Sequence, residues 1–138
     1  MAEHGTGVKT SGVHHMRITV TDPARTRAFY TSLLGFEPMM EFPDGFLVTN
    51  GTIFLGLRTG PDAAQSGAGA RFDPNNIGLD HLSLAVSSKA DLEAAQAQAR
   101  AMGVPCGDVV DFGPRFGFYV LMLEDPDGIQ IELSANYS

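Results

Sequence analysis

Tryptophan is missing from this 138-residue sequence, and cysteine occurs once, as Cys106. A single thiol builds no internal disulfide framework, so the chain suits a reducing compartment. Basic runs are also lacking: nine lysines and arginines face sixteen aspartates and glutamates, a formal net charge of −7. That balance argues against nucleic acid and anionic membrane surfaces as partners. No apolar stretch approaches the roughly 20 residues that span a bilayer. The opening "MAEHGTGVKTSG" has no apolar segment of the kind a secretory signal needs, and residues 1–12 are expected to form a disordered tail. A cytoplasmic protein is therefore expected, its remaining length fitting one domain with a respectable core.

What the sequence does hold is a repeat. "GVHHMRITV" (12–20) and "GLDHLSLAV" (78–86) place a histidine at the same point of two strand-like segments. "TDPARTRAFYTSLLGF" follows the first and predicts a helix, with Asp22 as N-cap, Pro23 at its first position and Gly35 closing it. Phe29, Leu33 and Leu34 would be its buried side. "SSKADLEAAQAQARAMGVP" follows the second and predicts another, capped by Ser88 with Asp91 and ended by Gly103 and Pro105. Its apolar stripe is Leu92, Ala95, Ala99 and Met102. Strand-like runs complete each half: "PMMEF", "GFLVTN" and "TIFLGLR", then "GDVVDF", "FGFYVLMLE" and "GIQIEL". Each half reads β-α-β-β-β, the first over about 13–58 and the second over about 78–138. Residues 59–77, "TGPDAAQSGAGARFDPNNI", are the linker, placed to act also as a flap.

Alternation then assigns the faces. His14, Met16, Ile18 and Val20 share one side of the first strand, and His15, Arg17 and Thr19 the other. Leu82, Leu84 and Val86 oppose His81, Ser83 and Ala85 in the same way. On the last strand Ile129, Ile131 and Leu133 oppose Gln130, Glu132 and Ser134. The apolar sides belong under the helices, so His15, His81 and Glu132 point away from the core. If the halves form one curved sheet, all three look into its hollow. Two imidazoles and a carboxylate suit a divalent transition metal with open coordination positions, and the same set can hold zinc. Gln130 or Ser83 is placed to orient a ligand.

Three segments, "HHMRITVTDPARTRAFYTSLLGF", "GLDHLSLAV" and "LEDPDGIQIEL", resemble the vicinal oxygen chelate superfamily. That group includes glyoxalase I, extradiol dioxygenases, fosfomycin-resistance transferases, methylmalonyl-CoA epimerases and bleomycin-resistance proteins. The likeness covers nearly everything after the tail. It implies an α+β fold of two tandem βαβββ modules forming an eight-stranded, open barrel-like curved sheet with the helices outside. It also implies metal ligands at His15, His81 and Glu132, and a homodimer. Glyoxalase I and the epimerases carry a fourth ligand on the last strand of the first half. Matching Gly51 to Gly128 puts that position at Leu55, which disfavours a four-ligand lyase or isomerase. Extradiol dioxygenases add an acid–base His and Tyr, and the Tyr position falls on Met122.

The expectation is a non-haem Fe(II) dioxygenase acting on an aromatic or polycyclic small molecule, with Mn or Zn as alternative metals. Tyr119 and Arg115 are the candidate catalytic residues, one donating a hydrogen bond and the other fixing an anionic oxygen. Arg17, Ile53, Leu55 and Met122 are candidate substrate-binding residues, the apolar ones forming a wall for a flat substrate. An Mn- or Zn-dependent glyoxalase-like lyase, isomerase or thiol transferase is the second reading. A metal-free small-molecule-binding resistance protein is the third.

Overall fold

A computed structural model describes Gly5 and residues 7–138. Of the tail expected over 1–12, residues 1–4 and 6 lie outside the described residues.

The first module runs β1 (Met16–Thr19), α1 (Pro23–Leu33), β2 (Glu37–Phe42), β3 (Gly45–Thr49) and β4 (Phe54–Arg58). The second runs β5 (His81–Ala85), α3 (Lys89–Ala101), β6 (Val110–Asp111), β7 (Phe118–Glu124) and β8 (Gln130–Asn136). Between them the linker holds one further turn of helix, α2 (Ala63–Ser66), capped by the Asp62 carboxylate. The eight strands do not make one sheet. They form two four-stranded mixed sheets, ordered β1-β4-β3-β2 and β5-β8-β7-β6, and neither closes. In each, the first strand pairs parallel to the last and the rest are antiparallel.

Local chemistry sets the helices where the sequence puts them. Asp22 accepts a hydrogen bond from the Arg25 N–H and Pro23 opens α1, while Gly35 follows the C-cap at φ +71°. Ser88 caps α3 by accepting from the Asp91 N–H. Leu92 and Ala99 of the predicted stripe are fully buried, but Met102 is left 43% exposed at the helix end.

Both helices cover the same side of their sheets and share one core. Phe29, Tyr30, Val48, Leu55 and Leu57 from the first module join Leu92, Leu121, Leu123, Ile131 and Leu133 from the second in one buried cluster. Two polar ties reinforce the junction. The Gln98 amide donates to the Ser32 carbonyl, 3.1 Å. Asp127, in the turn before β8, accepts from the Thr21 N–H and hydroxyl and pairs with Arg25 at 3.3 Å. No helix among the described residues is long and apolar enough to cross a membrane.

Candidate functional site

With the helices on one side, the opposite face of each sheet is open, and cross-strand register shows what it carries. In the second module Ser83 lies opposite Glu132, and Glu132 lies opposite Met122. His81 opens β5 opposite Gln130 on the same face. His81 Nε2 sits 3.7 Å from Glu132 Oε2, and its Nδ1 is 2.8 Å from the Asp80 carboxylate. Asp80 is held in turn by Gln130, whose amide donates to its carboxylate at 3.2 Å and its carbonyl at 3.0 Å. On the far side the Ser134 hydroxyl donates to Glu132 Oε1 at 3.1 Å and lies 2.6 Å from the Ser83 hydroxyl.

This chain of contacts has a chemical consequence. A carboxylate at Nδ1 favours the tautomer with its proton there, which makes Nε2, on the Glu132 side, the nitrogen free to take a cation, the usual arrangement of metal-binding imidazoles. Glu132 is nearly buried, with its side chain 12% exposed. An anionic oxygen there is costly without a positive partner. The pair therefore suits a divalent cation on ligand chemistry alone. Gln130 acts through Asp80 and Ser83 through Ser134, so the expected orienting roles fall one step further out. Asp80 itself went unassigned in the sequence because it precedes the strand, where periodicity says nothing about direction.

His15 is not brought to this pair. It lies one residue before β1, exposed, with its Nδ1 2.8 Å from the Nδ1 of His14. Among the described residues no three His, Cys, Asp or Glu side chains are grouped so as to hold a metal. The expected convergence depended on a single curved sheet. Here β1 and β5 are separate inner edges, flanking a crevice of about 220 Å³ lined by Met16, Ile18, Phe72, Leu82 and Ile131.

The other candidates divide by face. Met122, directly across from Glu132, is on the open face. Arg17 is too, lining a depression of about 210 Å³ with His15, Phe42, Leu47, Gly56 and Arg58. Leu55 is not: it pairs with Met16, is fully buried, and belongs to the helix-covered core with Leu57, while Ile53 packs against that core. The apolar wall expected from these residues therefore faces inward. Tyr119 also occupies the helix side, opposite Ala135, its ring tilted against that of Tyr137 and beneath the Lys89 ammonium. Arg115 lies in the exposed loop between β6 and β7, its guanidinium 5.9 Å from the Phe116 ring centre.

Matching Gly51 to Gly128 puts Leu55 on the wrong face because the turns before β4 and β8 differ by one residue. Gly128 precedes β8 by two positions, whereas Gly51 precedes β4 by three, across a turn in which the Asn50 side-chain oxygen Oδ1 accepts from the Thr52 and Ile53 N–H groups. Register matches Glu132 to Gly56 instead: Ser83 faces Glu132 as Arg17 faces Gly56. Glycine offers no ligand either, so the first module still lacks a fourth donor. Apolar side chains on the open faces come from elsewhere: Phe42 and Leu47 in the first module, and Val120 with the Phe112–Phe118 pair in the second.

Comparison with known proteins matches this architecture. Residues 12–133 match the model of the Glyoxalase/Bleomycin resistance protein/Dioxygenase superfamily. The chain is 33% identical over 132 residues to the uncharacterized protein YaeR of Escherichia coli K12, covering 88% of this chain and 93% of that one. It superposes with a TM-score of 0.74 on a glyoxylase/bleomycin resistance protein/dioxygenase domain from Frankia sp. EAN1pec, at 24% identity, covering 93% and 99% of the two chains. A lactoylglutathione lyase from Agrobacterium tumefaciens gives a TM-score of 0.69 at 21% identity, covering 91% and 94%.

Proposed function

Because the chain belongs to the glyoxalase/bleomycin resistance protein/dioxygenase superfamily, we propose that it is a metal-dependent enzyme, an Fe(II) dioxygenase of an aromatic or polycyclic small molecule. The observation that carries the proposal is the His81–Glu132 pair, with Asp80 fixing the imidazole. His81 and Glu132 would hold the ion, and His15 would complete the set from the first module of a second copy of the chain. A homodimer supplies both modules to each site while leaving every strand as it stands. When bound by His81, Glu132 and His15, iron would supply Lewis acidity towards substrate oxygens and the redox capacity that oxygenation needs.

The chain's own residues prepare that chemistry. Asp80 holds the Nδ1 proton, Ser134 orients Glu132, and Met122 lines the floor beside the carboxylate. Phe112, Phe118 and Val120 would shed water from the apolar part of a bound substrate. Neither Tyr119 nor Arg115 stands beside the pair, so substrate deprotonation falls to the substrate's own acidity.

Two measurements test this. Protein reconstituted with Fe(II) should bind one ion per chain and consume O₂ with an electron-rich aromatic diol, and anaerobiosis should abolish turnover. Full turnover without oxygen would transfer the assignment to the lyase, isomerase or transferase chemistry of the same scaffold. Light scattering should give a dimer at micromolar concentration. A monomer carrying a full complement of metal would exclude the shared site.

A further inference from the structure

We propose that Arg17 and Arg58, on the open face of the first module, form a cradle for an oxyanion, a carboxylate or phosphonate borne by the small-molecule ligand. In a chain with net charge −7, two of the nine basic side chains line one depression with His15. Pairing of β1 with β4 sets Arg17 opposite Gly56 and one step from Arg58. Gly56 matters because it has no side chain. An added Cβ would make ordinary 3.6 Å contacts with the Arg17 Cβ and Cγ, so the aliphatic stem of Arg17 packs across the bare Gly56 backbone on the floor of the depression.

Both guanidiniums are held in place. Arg58 donates through Nε to Asp44 at 2.8 Å and lies 4.5 Å from the centre of the Phe42 ring. Arg17 donates through one terminal nitrogen to the Thr59 carbonyl at 3.1 Å. Among the described residues no carboxylate comes within ion-pair distance of Arg17. Asp44 is therefore the one carboxylate set against two guanidiniums, and a positive charge is left over. Fixed planar forks beside an aromatic ring and a leucine suit an oxyanion, which they can grip through paired N–H donors with little loss of side-chain freedom. A compound with an aromatic body and one carboxylate fits such a lining.

This inference rests on the proposed function only for what the oxyanion is attached to, so its test uses metal-free protein. The Arg Nε–H resonances of EDTA-treated, full-length protein are followed by NMR during titration with sodium phenylacetate and with neutral phenylacetamide. Arg17 and Arg58 should shift saturably with phenylacetate alone. Arg17→Gln, which removes an exposed group bonded only to a carbonyl, should fold normally and weaken the response about tenfold or more. Equal response to phenylacetamide, shifts confined to Arg25, Arg71 or Arg115, or unchanged affinity in Arg17→Gln would overturn the cradle. An intact response in protein that never takes up metal would keep the cradle and sink the metalloenzyme reading instead.

Discussion

Gly56 and Glu132 occupy the same register position in the two halves of the molecule, one opposite Arg17 and the other opposite Ser83. The repeat thus keeps a carboxylate in the second module where the first has only backbone. Since a Cβ at Gly56 makes only ordinary contacts, Gly56→Ala should change stability by no more than about 1 kcal/mol. Gly56→Glu should add a donor on the open face, tightening divalent-metal binding and quenching the phenylacetate response at Arg17. Gly45→Ala is the control that should fail, because its Cβ would run into the Leu57 carbonyl oxygen. Thermal melts and metal titrations read all three.

Asp80 governs the direction of the His81 ring. Asp80→Asn is expected to lower metal affinity about 10- to 100-fold without lowering the melting temperature, as that carboxylate is 59% exposed. His81→Ala and Glu132→Ala should abolish stoichiometric metal, and His15→Ala should do so too. His14→Ala should leave binding intact. Loss of metal in His14→Ala but not His15→Ala would make His14, not His15, the ligand.

Leu55 and Tyr119 separate packing from chemistry. Leu55→Ala opens a hole in a fully buried cluster and should cost about 2–5 kcal/mol in denaturant unfolding, with the metal site unaltered in the folded fraction. Tyr119→Phe keeps the ring against Tyr137 and should leave turnover within about twofold, since a hydroxyl on the far side of the sheet reaches no substrate. A large drop in turnover for Tyr119→Phe would place Tyr119 in the site after all.

Asp125 should tie stability to pH. Burial pushes its carboxyl up to about 6, against the pull of hydrogen bonds from the Ile129 and Asp127 N–H groups. The folded chain then keeps a proton that the unfolded chain has released, so stability is highest below about pH 4 for this group and falls as pH rises through 6. The loss is on the order of 2 to 3 kcal/mol, complete above about pH 7. Asp125→Asn should remove that slope and unfold at higher denaturant than the parent at pH 7.5. Parallel pH curves for the two proteins would refute this.

Much of the fold was legible because it is written in local signals. Asp22 with Pro23, Ser88 with Asp91, and the glycines at 35 and 103 set helix ends within a few residues, and alternation put His81, Glu132 and Arg17 on the open faces. Legibility stopped where distant segments decide. Whether β1 and β5 join one sheet depends on how two modules dock, so His15 could not be placed by periodicity. One extra residue in the Asn50–Ile53 turn was enough to exchange Leu55 for Gly56. β7 is apolar on both faces, which hid Tyr119's direction until its pairing with Ala135 was known. Asp80, outside any strand, carried no periodic signal at all.

The grip of Thr21 and Arg25 on Asp127 gives this duplicated architecture a lopsided dependence. The start of the first helix is anchored on the last turn of the chain, and the hydrophobic cluster draws on both halves. Neither half is therefore a self-sufficient unit, despite repeating the same five-element plan. A cut in the exposed connector near Gly69 should leave two fragments that are disordered alone and regain structure when mixed. Two copies of one plan are thus expected to melt in a single transition, because each half completes the other's core.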